Sequence, residues 1–253
     1  MTPDSPLVSH VFPSPNYNVR KDGMNPNMVL LHYTGMDNTL EAAKLLCNPE
    51  AEVSAHYLVF EDGVIWQLIP ETKRAWHAGK GMWKKNSDIN SCSIGIEIAN
   101  RGHNYPDQDP EPPEFPEIQM KSVAHLVKDI MTRWKIAPER LLGHSDIAPE
   151  RKTDPGEKFP WKFLFQADLG FWVEPVSLIN GPLLQKGDQG NSIFRLQNDL
   201  CTFGYNVPIS GLFDEQTYLV VQAFQRHFRP QRVDGRADQS TLLTLQKLLI
   251  LSL

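Results

Sequence analysis

The chain has 253 residues, 41% of them apolar and 22% charged, with a formal net charge of −5. That length suits two globular domains with cores of their own and excludes a small fold held by covalent staples. A slight acidic excess with no basic stripe argues against nucleic acid as a partner, because phosphate binding needs clustered Lys and Arg. The three cysteines, Cys47, Cys92 and Cys201, have no CxxC spacing and cannot all pair, so neither a disulfide framework nor a thiolate metal site is expected. No apolar run approaches the roughly 20 residues of a membrane span. The first residues lack the basic-then-apolar pattern of an export signal. As it reads, the chain is therefore cytoplasmic, or it belongs to the cell envelope or periplasm if a signal has been removed.

In chain order, residues 1–27 are rich in Pro, Asn and Ser and predict an extended arm. The apolar run 28–32 predicts a buried strand. Residues 39–47 predict a helix capped by Asn38. The segments 53–60 and 64–69 flank Glu61-Asp62-Gly63 and predict a hairpin. Residues 93–100 predict another buried strand, followed by a Pro-rich loop at 105–116. Residues 117–135 place Val123, Leu126, Val127, Ile130, Met131 and Trp134 on one helical face. Residues 141–144 predict a last short strand.

This order predicts an α/β (α+β) domain with a mixed sheet flanked by helices, over 28–170. A linker at 171–182 leads to a small three-helix domain at 183–253. There Gly211-Leu-Phe-Asp-Glu-Gln-Thr217 is echoed by Gly235-Arg-Ala-Asp-Gln-Ser-Thr241, with Asp214 and Asp238 as helix N-caps. Leu196, Leu200, Val221, Phe224, Leu242 and Leu245 should fill its core.

The residues that carry chemistry lie in the first domain. Hydrolysis of an unactivated amide needs a strong nucleophile and relief of charge on the carbonyl oxygen, and zinc with three protein ligands and an open position supplies both. His32 ends the first strand, His144 ends the last, and Asp154 lies on the following loop. These three could converge if their strands are neighbours. Spacing alone leaves open that both histidines are merely hydrogen-bonded residues at strand ends. In SIGIEIAN, alternation puts Ile94, Ile96 and Ile98 on one face and Gly95, Glu97 and Ala99 on the other. Glu97 is then either a catalytic carboxylate under a ligand, with small neighbours leaving it room, or a strand-edge Glu on a solvated face.

The segments HYTGM, SIGIEIAN and GHSDIAPERKTDPG resemble the signatures of the zinc-dependent N-acetylmuramoyl-L-alanine amidases of the second type, over residues 27–165. That fold is shared with peptidoglycan recognition proteins and phage amidase lysozymes. The resemblance implies that His32, His144 and Asp154 bind Zn2+, that Glu97 transfers protons, and that Lys152 stabilises the oxyanion. Arg151 reads as a solvated loop residue. Some phage relatives carry a tyrosine where this chain has Ala55, which leaves proton transfer to Glu97.

The same resemblance places His77 beside the sugar or peptide groove with Trp76 and Gly79. It places His56 either in the cleft or as a hydrogen-bonded core histidine. Asn100 and Arg101 follow the catalytic strand, where they could contact peptide carboxylates. His10, His103, His125 and His227 match nothing and read as solvent-exposed or packing residues.

Residues 195–205, 209–217, 220–228 and 233–241 resemble a three-helix peptidoglycan-binding domain. The chain departs from that pattern at Ser210-Gly211 and at Arg236-Ala237, so the resemblance implies its fold more strongly than wall affinity. The expected partner is peptidoglycan or a muropeptide, including 1,6-anhydro forms, with a non-catalytic peptidoglycan recognition protein as the competing reading. Removal of the second domain is expected to spare cleavage of small fragments.

Overall fold

The computed structural model describes residues 1–103, 112–179 and 181–251. Residues 105–111 of the expected Pro-rich loop, residue 180 of the expected linker and residues 252–253 of the expected helical domain lie outside them.

The core is a six-stranded mixed sheet built from β1 (His10–Val11), β3 (Met28–Tyr33), β4 (Tyr57–Val59), β5 (Ile65–Gln67), β7 (Ser93–Ile98) and β8 (Leu141–Gly143), in the order β1-β5-β4-β7-β3-β8. The centre is parallel: β7 pairs with β3 and β4, and β3 pairs with β8. The expected hairpin is the antiparallel pair β4 and β5. Parallel central strands are covered on both faces, which is why β3 and β7 read as nearly unbroken apolar runs.

Register decides which residues share a face. Leu58, Glu97 and His32 are paired neighbours and form one row across three strands. The alternate residues Val29, Leu31, Ile94, Ile96, Ile98 and Val59 cluster with Val123, Leu126, Val127 and Ile130 of α3 (Glu117–Trp134). On the Leu58 face the cover is α1 (Thr39–Cys47), through Ala43 and Leu46. The Asn38 side chain accepts from the backbone N–H groups of Leu40 and Glu41, as its capping position predicts. Helix α3 stops one residue short of expectation because Lys135 turns left-handed at φ 54° and its N–H closes on Met131 O.

Residues 1–27, expected as an extended arm, are built into the domain and include a 3-10 turn at Lys21–Gly23. β1 adds to β5, and β2 (Tyr17–Val19) pairs antiparallel with β6 (Lys73–Ala75). The buried Arg20 donates to the carbonyls of Glu71, Ser91 and Ser93 at 2.8–3.0 Å. Those bonds tie the arm to the short helix α2 (Ile89–Cys92) and to the start of β7.

Two short helices follow β8, α4 (His144–Ile147) and α5 (Trp161–Gln166). The last three helices are α6 (Asn191–Phe203), α7 (Glu215–Phe228) and α8 (Gln239–Leu251). The sequence repeat returns as a repeated bonding pattern. Asp214 accepts from Thr217 N at 2.8 Å, and Asp238 accepts from Thr241 N at 2.8 Å. A glutamine on the preceding helix closes each copy: Gln197 meets Gly211 N and Thr217 Oγ1, and Gln225 meets Gly235 N and Thr241 Oγ1. Of the expected core residues, Leu196, Leu200, Val221, Phe224 and Leu245 are buried and Leu242 is half-buried.

These helices share one apolar cluster with the sheet. Trp83 packs edge-on against Phe203 and Tyr205, and Trp161 stacks on His227 at 3.6 Å. The segment 171–179 is likewise not free: Val176 N donates to Thr244 Oγ1, and Ser240 Oγ donates to Val176 O. Among the described residues, no helix is long and apolar enough to cross a membrane.

Candidate metal centre

The pairing of β3 between β7 and β8 brings three chain segments to one point. His32 is the fifth residue of β3, His144 follows the last residue of β8, and Asp154 returns on the next loop, where Ser145 N donates to Asp154 O at 2.9 Å. His32 Nδ1 lies 2.9 Å from His144 Nδ1, and each lies 3.0 Å from Asp154 Oδ2. All three residues are buried, and together they form a group able to hold a metal ion. A tetrahedral ion with bonds of about 2.0–2.1 Å spaces its ligands about 3.3 Å apart. The observed triangle is close to that spacing.

The protons of both imidazoles point away from the triangle. His144 Nε2 donates to the backbone carbonyl of Ala78 at 3.0 Å, which leaves Nδ1 with its lone pair. His32 is set by a longer relay. Ser93 Oγ spends its proton on Ile89 O at 2.6 Å, so it must accept from His77 Nε2 at 3.2 Å. His77 Nδ1 is therefore an acceptor, receiving the proton of His32 Nε2 at 3.0 Å, and His32 Nδ1 is left bare. Burial, reinforced by the neighbouring His144, lowers His32 to about 4, so the ring is neutral near pH 7. Burial and then His32 hold His77 well below the ordinary imidazole range. Burial pushes the Asp154 carboxyl up, yet the group is held below the ordinary carboxylate range and stays ionised. Two imidazole nitrogens and a carboxylate, all presenting lone pairs, fit zinc by chemistry as well as by spacing.

The triangle opens into a cleft of about 360 Å³ lined by His32, Glu97, Trp76, His77, Lys152 and Asp154, among others. Glu97 is the register partner of His32. Its Oε2 is buried with no hydrogen-bond partner. Burial raises Glu97 well above the ordinary carboxylate range, the charge of Asp154 adds to this, and Lys152 opposes it. A carboxyl so placed holds a proton more readily than a solvated one, as a group that shuttles protons requires.

The remaining sequence expectations divide. His77 borders the cleft, but its ring nitrogens are engaged with His32 and Ser93, so it backs His32. The room that Gly95 leaves on the Glu97 face is filled by the His77 ring, with which a Cβ at Gly95 would collide, and not by a ligand. His56 is a core histidine: fully buried, it accepts from Gly95 N at 3.0 Å and donates to Lys73 O at 3.0 Å. Asn100 uses its side chain on Pro113 O and Gly102 N, fastening the turn after β7, and it is not among the residues lining the cleft. Arg101 is half-buried and is not among the residues lining the cleft.

Three residues read as solvated or as packing have specific partners. Arg151 donates to the carbonyls of Lys80 and Ala78, the latter being the group that orients His144. His103 sits between the Tyr33 hydroxyl and Glu157. His227 meets the buried Asp146 at 2.7 Å. The signal that could have found the His77 relay was the small residue pair Ser93 and Gly95 on the strand that carries Glu97.

The family profile described as N-acetylmuramoyl-L-alanine amidase matches residues 22–157, and that of a peptidoglycan binding domain matches residues 189–245. The chain is 36% identical over 232 residues to the N-acetylmuramoyl-L-alanine amidase AmiD of Escherichia coli, covering 88% of this chain and 82% of that protein. The solved complex of that enzyme with anhydro-N-acetylmuramic acid-L-Ala-D-gamma-Glu-L-Lys superposes with a TM-score of 0.75 at 32% identity, covering 92% of each chain. AmpDh3 of Pseudomonas aeruginosa, solved with an anhydromuramic pentapeptide, superposes at 0.72 with 28% identity, covering 93% of this chain and 95% of that one.

Proposed function

The chain belongs to the family of N-acetylmuramoyl-L-alanine amidases, and from that premise we propose that it uses zinc, held by His32, His144 and Asp154, to hydrolyse the amide joining the lactyl group of N-acetylmuramic acid to L-alanine. The observation that carries this reading is the triangle of bare acceptor atoms about 3.0 Å apart at the floor of the cleft. Relatives solved with anhydromuramyl peptides support 1,6-anhydro ends among the substrates.

Bound zinc supplies a Lewis acid for the carbonyl oxygen and lowers the pKa of water toward about 7. The chain's own groups then have distinct tasks. Glu97, with a free oxygen and a raised affinity for protons, takes a proton from the attacking water as the C–O bond forms. It returns a proton to the amine nitrogen as the C–N bond breaks, so the acyl product leaves as a carboxylic acid and the peptide as a free amine. Lys152 borders the same cleft and donates to the oxygen on which charge develops. Ala78 and the His77–Ser93 relay keep both imidazoles in the ligating tautomer.

The test is mass spectrometry of products from intact sacculi and from anhydro-muropeptide, run side by side with and without exhaustive chelation. Release of peptides beginning with L-alanine, lost on chelation and restored by zinc, is expected. Full activity after chelation overturns the metal role, and absence of such peptides overturns the bond assignment.

A further inference from the structure

Asp146 lies in the turn between His144 and Asp154, yet much of what holds it comes from the C-terminal helices. Its side chain is buried among three donors. Gly143 N donates to Oδ2 at 2.8 Å, closing the turn locally. Tyr205, just after α6, donates its hydroxyl to Oδ1 at 2.6 Å. His227 of α7 donates from Nδ1 to Oδ2 at 2.7 Å. Burial and the facing carboxylate push the Tyr205 phenol well above its ordinary range, so it remains a donor. His227 is itself fixed, stacked on Trp161 at 3.6 Å and on Phe228 at 3.8 Å.

A buried carboxylate stays in place only while its oxygens are hydrogen-bonded. Here two of the three donors, Tyr205 and His227, come from outside the sheet domain. Gly143, which Asp146 holds, is the residue before His144, and a Cβ there would meet Pro155 at 2.7 Å, so the turn has little room to relax. A second tie runs in parallel: Arg226 of α7 lies 3.9 Å from Glu157, which bonds His103, which bonds Tyr33 at the rim of the cleft.

We propose that Tyr205 and His227 are positioning residues for the metal centre: by clamping Asp146 they hold the 143–146 turn so that His144 meets its fellow ligands. The C-terminal helices are then part of the site's scaffold, and not only an appended wall-binding module. This rests on the reading of His32, His144 and Asp154 as zinc ligands. It also reverses the expectation that the last domain can be removed without cost to small-fragment cleavage.

The test measures zinc affinity of the full chain by competition with a chromophoric chelator, beside the melting temperature of the zinc-free protein. Tyr205→Phe keeps the ring and removes one donor, and Tyr205→Phe/His227→Leu removes both. The double variant is expected to bind zinc about 10–100-fold more weakly, the usual cost of losing support behind a ligand. His227→Asn, which keeps a donor near the Nδ1 position, should restore most of the loss. Leu245→Ala, which loosens the buried packing of the C-terminal helices and has no part in the Asp146 clamp, should lower the melting temperature and leave zinc affinity unchanged. Parent-like affinity in Tyr205→Phe and the double variant overturns the proposal, as does an equal loss in Leu245→Ala. A parent chain that binds no zinc overturns instead the ligand assignment on which the proposal stands.

Discussion

Asp146, in α4, and Asp154, on the loop that follows it, are both buried and both face histidine, yet they present opposite situations. At Asp146 every neighbour brings a proton: the Tyr205 hydroxyl, His227 Nδ1 and Gly143 N. The carboxylate is satisfied and nothing further is needed. At Asp154 the two nearest ring nitrogens have given their protons elsewhere, His144 to Ala78 O and His32 to His77. Three electron-rich atoms about 3.0 Å apart repel unless a cation lies among them. A site able to hold a metal is thus recognised less by the presence of His and Asp than by where their protons go.

Asp154→Asn breaks that contrast most directly. Its amide N–H₂ supplies donors to the bare nitrogens and makes the triangle resemble the Asp146 clamp. The variant is expected to bind no zinc and lose all hydrolysis, while its zinc-free form melts no lower than the parent's. Metal analysis showing about one zinc per chain would contradict the donor-shortage argument.

Glu97→Ala separates holding the ion from using it. Zinc content should be unchanged while turnover falls by roughly 10²–10⁴, the usual worth of a general acid–base. Near-parental turnover would remove Glu97 from the mechanism. His77→Phe probes the relay behind His32. With no acceptor for the Nε2 proton, zinc affinity should drop about 10–100-fold in a chelator competition. Equal affinity would reduce His77 to packing.

The smallest effect concerns stability. Burial, then the nearby Arg20, lowers His56 to about 3 from 6.5. Below pH 6.5 the unfolded chain takes up a proton that the folded chain refuses until about pH 3. The stability this neutral ring contributes is thus fully present above pH 6.5 and drains away as pH falls toward 3. Between pH 7 and pH 5 the loss from this one residue is about 2 kcal/mol. Urea unfolding of the parent and of His56→Gln at both pH values tests this. A parallel pH response in the two proteins would show that His56 does not carry it.

Several features followed from local pattern alone. The apolar runs of β3 and β7, the Asn38 cap, the hairpin around Gly63 and the paired helix starts at Asp214 and Asp238 are written in short windows of sequence, because each depends on contacts within a few residues. His32, His144, Asp154 and Glu97 were also legible, through motif resemblance together with the alternation of residues 93–100. What sequence could not decide depends on contacts between residues 13 to 81 positions apart. Only the folded chain pairs His77 with His32, assigns His56 to the core because both its nitrogens are engaged, and commits the Asn100 side chain to Pro113. Only packing brings Tyr205 and His227 onto Asp146. A histidine looks the same in sequence whether it ligates, supports or merely packs. The partner of each ring nitrogen makes the difference, and tertiary structure supplies that partner.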